Sequence, residues 1–196
     1  MTPDELEKQQ KELQAEGREV LEKLQLIPFL SKFGTPNIVG SFALGLMTWP
    51  DIDIELVKDI NEDEYWQTVH YIFEKENLKN ITIMDYRTSD NPNTPKGLYI
   101  AIQYYGKQKD PWKIDIWFMS PRDPDGENLN EWIKDSLKEE HRLPILEIKH
   151  AISSDPKYRK QIFSVDIYKA VIEKGIRDLD GFKRYLQETK RTLDSL

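Results

Sequence analysis

The sequence predicts a mixed α+β fold, a sheet with helices packed on it followed by a helical C-terminal part. Three observations carry that prediction. Residues 51–57 alternate apolar and acidic with period two, as a half-buried strand does. Residues 2–25 place Leu6, Leu13, Val20, Leu21 and Leu24 on one face at helical spacing. From about Glu127 onward only helical patterns appear.

The elements follow in order. Thr2 can cap the first helix, Pro3 suits its first position, and Glu5 can complete a capping box. This amphipathic helix is weakened at Gly17. Residues 26–36, with Pro28, Gly34 and Pro36, read as a connector. Asn37 to Ser41 reads as a short strand ending in Gly-Ser, and residues 45–50 as a turn. In Asp51 to Val57, Ile52, Ile54 and Leu56 face one way and Asp51, Asp53 and Glu55 the other. Asn61 can cap the next helix, whose apolar members include Tyr65, Trp66, Val69, Ile72 and Phe73. Ile81 to Tyr86 is a third strand, and residues 88–97 form a loop by composition. Leu98 to Tyr105 and Trp112 to Met119 read as an antiparallel hairpin joined by residues 106–111. A loop over Pro121 to Gly126 leads into helical patterns at 128–140, 144–153 and 164–189. The division is therefore an α/β core with the N-terminal helix over 1–125 and a helical subdomain over 126–196.

Composition narrows the chemistry. The chain has no cysteine, which excludes disulfides, thiolate metal sites and a cysteine nucleophile. Lys plus Arg is 28 against 35 for Asp plus Glu, a net charge of −7. No basic run of five occurs, and nucleic acid is on that account an unlikely partner. The longest apolar stretch, Ile38 to Met47, is broken by Gly and Ser, and the polar, acidic start lacks the basic-then-apolar order of a signal peptide. The expectation is a cytoplasmic protein with no membrane contact.

Asp51, Asp53 and Asp115 sit in matching contexts, Asp-Ile-Asp-Ile and Lys-Ile-Asp-Ile. Asp51 and Asp53 leave the same strand face with backbones roughly 6.6 Å apart. If the strand of Asp115 lies alongside, three carboxylates converge. Such a trio raises its members' pKa values unless a cation is present. Magnesium, held by a few carboxylate oxygens together with substrate phosphates, resolves the repulsion, and two ions can clamp an in-line phosphoryl displacement. Gly40-Ser41, at a strand end, can grip phosphate through backbone N–H groups and a hydroxyl.

Ile-Val-Gly-Ser, nine residues, then Asp-Ile-Asp-Ile, with Asp115 on a later strand, resembles the signature of the nucleotidyltransferase superfamily related to DNA polymerase beta. The likeness spans Val39 to Phe118. It implies a mixed sheet with flanking helices, and transfer of a nucleoside monophosphate from a nucleoside triphosphate to an acceptor, with pyrophosphate leaving. On that resemblance Asp51 and Asp53 hold two magnesium ions. Asp115 holds the metal nearer the acceptor and draws the proton from its hydroxyl. Gly40 and Ser41 grip the outer phosphates. The donor implied is ATP, and the acceptor a small molecule, as in the antibiotic adenylyltransferases; the acidic balance suits a cationic one. The C-terminal helices are expected to close one side of the cleft and to help choose the acceptor.

Rival readings are an antitoxin-type enzyme that adenylylates a partner protein, a nucleotide-binding module without turnover, and hydrolysis by the same trio. Arg87, Lys113 and Arg122 are unranked candidates for further phosphate contacts. Lys149 reads as a solvated lysine that could otherwise lean over the site, and Trp117, on the face of Asp115, as a stacking or core residue. His70, His141 and His150 share no metal-ligand spacing.

Overall fold

The computed structural model describes residues 1–91, 94–121, 124–189 and 191–193, with the backbone alone at 124–128. It divides into two compact units, one of Glu12–Glu131 and one of Met1–Lys11 with Trp132–Leu196.

The first unit is built on a five-stranded mixed sheet in the order β1-β2-β5-β4-β3. The strands are β1 (Pro36–Val39), β2 (Asp51–Val57), β3 (Leu78–Asp85), β4 (Gly97–Tyr104) and β5 (Trp112–Met119). β2 and β5 run parallel, with Asp53 directly opposite Asp115. The other pairs, β1–β2, β4–β5 and β3–β4, are antiparallel. The 106–111 connection is therefore the hairpin that the sequence indicates. Period-two patterning decides the two faces of the sheet. Ile52, Ile54, Leu56, Ile100, Ile102, Ile114, Ile116 and Phe118 are buried together in one core with Leu13, Val20, Leu24, Tyr65 and Ile72. The opposite face carries Asp51, Asp53, Glu55, Lys113, Asp115 and Trp117.

α1 (Pro3–Leu24) starts on the capping box that Thr2 and Glu5 form, with Thr2 N donating to Glu5 Oε2 at 2.7 Å and Glu5 N to Thr2 Oγ1 at 3.3 Å. Gly17 is not a weak point in it. A Cβ there would come within 2.5 Å of Phe42 Cε2 and 2.9 Å of Trp112 Cη2, so the glycine makes room for two rings. α1 is also tied to the β4–β5 connection by buried Glu16, whose carboxylate accepts from the backbone N–H of Lys107 and Gln108, from the Gln108 amide and from Trp112 Nε1–H. The indole of Trp112 is fully buried in this tie.

The segment read as a connector holds a short helix, α2 (Leu26–Leu30), entered through Gln25 at φ +50°. Pro28 sits in its first turn, where a missing N–H leaves no rung unmade, and Leu26 and Leu30 are buried. The predicted strand over 37–41 stops at Val39, and Gly40 opens α3 (Gly40–Leu44). α4 (Glu62–Phe73) is capped as expected, by Asn61 Oδ1 accepting from Asp63 N at 2.9 Å. Glu64, in its first turn, pairs with Lys58 at 2.6 Å.

α5 (Pro124–Ser136) begins inside the predicted 121–126 loop and crosses from the first unit into the second. The second unit is helical: α6 (Glu139–Ala151), α7 (Ser164–Lys174) and α8 (Leu179–Glu188). Pro144 lies within α6 rather than at its start, at the loss of one backbone rung. The single pattern over 164–189 is two helices. Gly175, at φ +66°, ends α7, and Asp178 caps α8 by accepting from Gly181 N at 2.7 Å. Among the described residues no helix is long and apolar enough to cross a membrane.

Candidate active site

The parallel register of β2 and β5 brings the three predicted carboxylates together. One oxygen each from Asp51, Asp53 and Asp115 lies within 4.8 Å of the other two. Asp115 is buried, and Asp51 and Asp53 are half-buried. Glu55, next on the same face, is half-buried and accepts from Asn130 Nδ2 at 3.3 Å rather than joining the trio.

Gly40 and Ser41 stand where β1 ends, and Val39, the last residue of β1, is paired with Asp53. Gly40 has φ +67°, a conformation that favours glycine. A Cβ there would overlap Asp53 Oδ2. The glycine thus lets a carboxylate pass over the backbone. Ser41 is buried in the first turn of α3, and its carbonyl accepts from Leu46 N at 2.9 Å.

The electrostatics follow from the crowding. Burial pushes the Asp53 carboxyl well above the usual aspartate range, and the charges of Asp51 and Asp115 push it further. Burial also raises Asp115, with Lys113 acting against it. Lys113 is raised overall: burial works against its charge, but Asp51 and Asp115 outweigh that. Its ammonium lies on Asp115 Oδ2 and 3.9 Å from Asp51 Oδ1. Burial and the neighbouring Asp115 charge raise the Tyr99 phenol. Trp49 Nε1–H donates to Asp51 Oδ2 at 3.4 Å.

Whether this donor set suits a divalent cation can be tested on its unpaired atoms. Asp51 Oδ1 and Asp115 Oδ1 are buried and accept no hydrogen bond. Buried carboxylate oxygens without donors are costly, and a hard cation with oxygen ligands is the partner that satisfies them. The residues fit such an ion.

Of the basic candidates, Lys113 alone is placed at the trio by the described contacts. Two residues before Asp115 on an alternating strand, it shares that face by periodicity, a signal that would have ranked it first. Arg87 is held by Asp85 and Glu62, and Arg122 lies outside the described residues. Lys149 is not a solvated lysine: it is fully buried, with its ammonium 5.9 Å from the centre of the Tyr168 ring. Trp117 packs against Tyr99 and Tyr86, with ring centres 4.6 and 5.5 Å away. The sequence reading missed Tyr99 beside Asp115 and the Trp49 hydrogen bond to Asp51.

No protein-family model matches the chain, and no curated protein matches it. Solved structures do. Cid1, an RNA terminal uridylyl transferase, matches 88% of this chain at 15% identity with a TM-score of 0.59. A cytoplasmic RNA terminal U-transferase matches 88% at 17% identity and TM-score 0.57, and the GLD-2/RNP-8 complex 87% at 12% and 0.52. The fold is that of the nucleotidyltransferases. This chain spans about half the length of those it matches, 53% of Cid1 and 55% of the U-transferase. Cid1 structures hold MgGTP and MgATP.

These matches overturn one expectation. The acidic balance and the lack of a basic run made nucleic acid an unlikely partner, yet the same fold serves enzymes that act at RNA ends, one of them solved with its product ApU. A net charge sums the whole surface, whereas binding answers to the local field.

Proposed function

We propose that the chain is a magnesium-dependent nucleotidyltransferase, which moves a nucleoside monophosphate from a nucleoside triphosphate to an acceptor hydroxyl. The observation that carries this is the trio: three carboxylates on adjacent parallel strands, two with a buried oxygen outside hydrogen-bond reach of a donor, in a nucleotidyltransferase fold. The Glu12–Glu131 unit carries the chemistry.

Asp51, Asp53 and Asp115 would hold magnesium, which when bound neutralises phosphate charge and orients the reacting oxygens. Gly40 and Ser41 receive the outer phosphates. Asp115 takes the proton of the acceptor hydroxyl. Its burial raises its proton affinity, which suits that task. The acceptor oxygen bonds to the α-phosphorus, the bond to the bridging oxygen of the β-phosphate breaks, and pyrophosphate leaves.

The fold's RNA-acting relatives make a 3′-hydroxyl of single-stranded RNA the first acceptor, and ATP and UTP the first donors. The local acidity of the face that carries Asp51, Asp53 and Asp115 favours a second reading, a cationic small-molecule acceptor modified with AMP from ATP. The purified chain is incubated with magnesium, each labelled nucleoside triphosphate, and either an oligoribonucleotide or a cationic amino sugar. An extended oligoribonucleotide with pyrophosphate release, absent in Asp51→Asn/Asp53→Asn, supports the first reading. A labelled amino sugar supports the second. Nucleotide binding with no pyrophosphate from either acceptor favours a non-catalytic module and overturns both.

A further inference from the structure

The space beside the unpaired oxygens of Asp51 and Asp115, which suits a cation, is shared with a side chain of the protein itself. Lys113 pairs with Asp115 Oδ2, lies 3.9 Å from Asp51 Oδ1, and faces β4 at Gln103. Its side chain remains 46% exposed, so the ammonium can turn outward without repacking the core. No other basic side chain touches the trio among the described contacts. The carboxylates of this cluster outnumber its one ammonium.

We propose that Lys113 is a built-in counter-ion of the carboxylate trio, which a divalent cation must displace and whose ammonium then pairs with the negative charge of the incoming triphosphate. This rests on the reading of Asp51, Asp53 and Asp115 as metal ligands. The consequence is thermodynamic coupling. A metal ion arriving alone meets a positive charge at short range and must break an ion pair. A metal ion arriving with a triphosphate gives that charge a new partner, so each ligand strengthens the other by the same factor. Lys113 would keep the site closed to stray divalent ions and open to the metal–nucleotide pair. A lysine kept only to stabilise the strand would contribute to folding without setting metal affinity.

The test is a titration with Mn²⁺, following free ion by electron paramagnetic resonance, with and without a non-hydrolysable ATP analogue. Wild type, Lys113→Met, Lys113→Gln and Lys113→Arg are compared, with Asp53→Asn as the site control; the glutamine variant keeps a polar head should the methionine variant fail to fold. Removing one positive charge about 4 Å from the ion, at a half-exposed position, should tighten Mn²⁺ alone by about tenfold. The strengthening by nucleotide should shrink by the same factor in both neutral variants, while Lys113→Arg stays near wild type. Unchanged or weaker Mn²⁺ binding in the neutral variants, with wild-type binding lost in Asp53→Asn, overturns the counter-ion and leaves the metal site standing. No saturable binding in wild type or the neutral variants overturns the metal site, and the counter-ion with it.

Discussion

Gly40→Ala perturbs the point at which backbone and carboxylate come closest. Two costs are expected. At φ +67° an alanine is strained by roughly 1–2 kcal/mol. Its Cβ would also overlap Asp53 Oδ2 and approach Asp53 Cγ to 3.3 Å. Overpacking of this kind costs roughly 1–3 kcal/mol. Gly175 separates the two. It has φ +66°, and a Cβ there meets nothing within 4 Å, so Gly175→Ala carries the conformational cost alone. Equilibrium urea unfolding of the two variants should show Gly40→Ala the worse by about 1–3 kcal/mol. The excess should vanish in an Asp53→Ala background, where only Asp53 Cβ, at 3.6 Å, remains in ordinary contact. Part of the overlap will be relieved by the carboxylate turning aside, so function should suffer as well as stability. On the proposed reading this carboxylate holds a metal ion, and displacing its oxygen by about an ångström should cost on the order of a hundredfold in transfer rate. Equal costs at the two glycines, or an excess that survives removal of the Asp53 carboxylate, would refute the reasoning.

Three further outcomes are expected. Asp53 is held above the ordinary aspartate range, so the folded state keeps a proton that the unfolded chain has lost. Stability without metal should therefore fall as pH climbs from that range through the raised value. Asp53→Asn should match or exceed wild type in melting temperature at pH 8 with chelator present, while showing no magnesium-dependent transfer; a wild type clearly the more stable there would contradict this. Glu16 has the opposite sign. Burial works to raise it, but hydrogen bonds from Gln108, Lys107 and Trp112 prevail and lower it, so its contribution is present above the usual glutamate range and lost as pH falls through the lowered value. Glu16→Gln should cost about 1–3 kcal/mol at pH 7 and melt with a flatter acid limb than wild type, and parallel limbs would argue against it. Gly17→Ala, which in an open helix would stabilise, should instead destabilise by about 1–3 kcal/mol in urea unfolding because its methyl meets Phe42 and Trp112; a gain in stability would show that the rings have room to move.

Much of the sheet was legible because its alternation is strict. Ile52, Ile54 and Leu56 point to the core and Asp51, Asp53 and Glu55 away from it, and the same holds around Asp115, so the two acidic faces match once the strands pair. What was not legible depends on distance along the chain or on short elements. Glu16 reaches residues more than ninety positions away. No local pattern announces that, nor that Gly17 accommodates the ring of Trp112. α2 is five residues long and contains Pro28, so its breaker residue masked it. That Gly40 yields space to Asp53 appears only when β1 and β2 are paired.

Net charge misled for a related reason. It counts carboxylates as if each repelled phosphate wherever it stood. At this site the count runs the other way on the proposed reading: Asp51, Asp53 and Asp115 recruit the positive charge that a triphosphate needs, so the most acidic spot on the sheet is the one that attracts a polyanion. Such a face does not require a basic run in the sequence, because most of its positive charge arrives with the substrate. Lys113 fits the same logic. A site that borrows its cation has to be stable before the cation comes. A single lysine can serve that interval at a cost of one ion pair, and a patch of several would compete with the metal it is meant to receive. The acidity of the chain and a phosphate-bearing substrate are then two aspects of one arrangement, and where the carboxylates converge says more about the partner than how many there are.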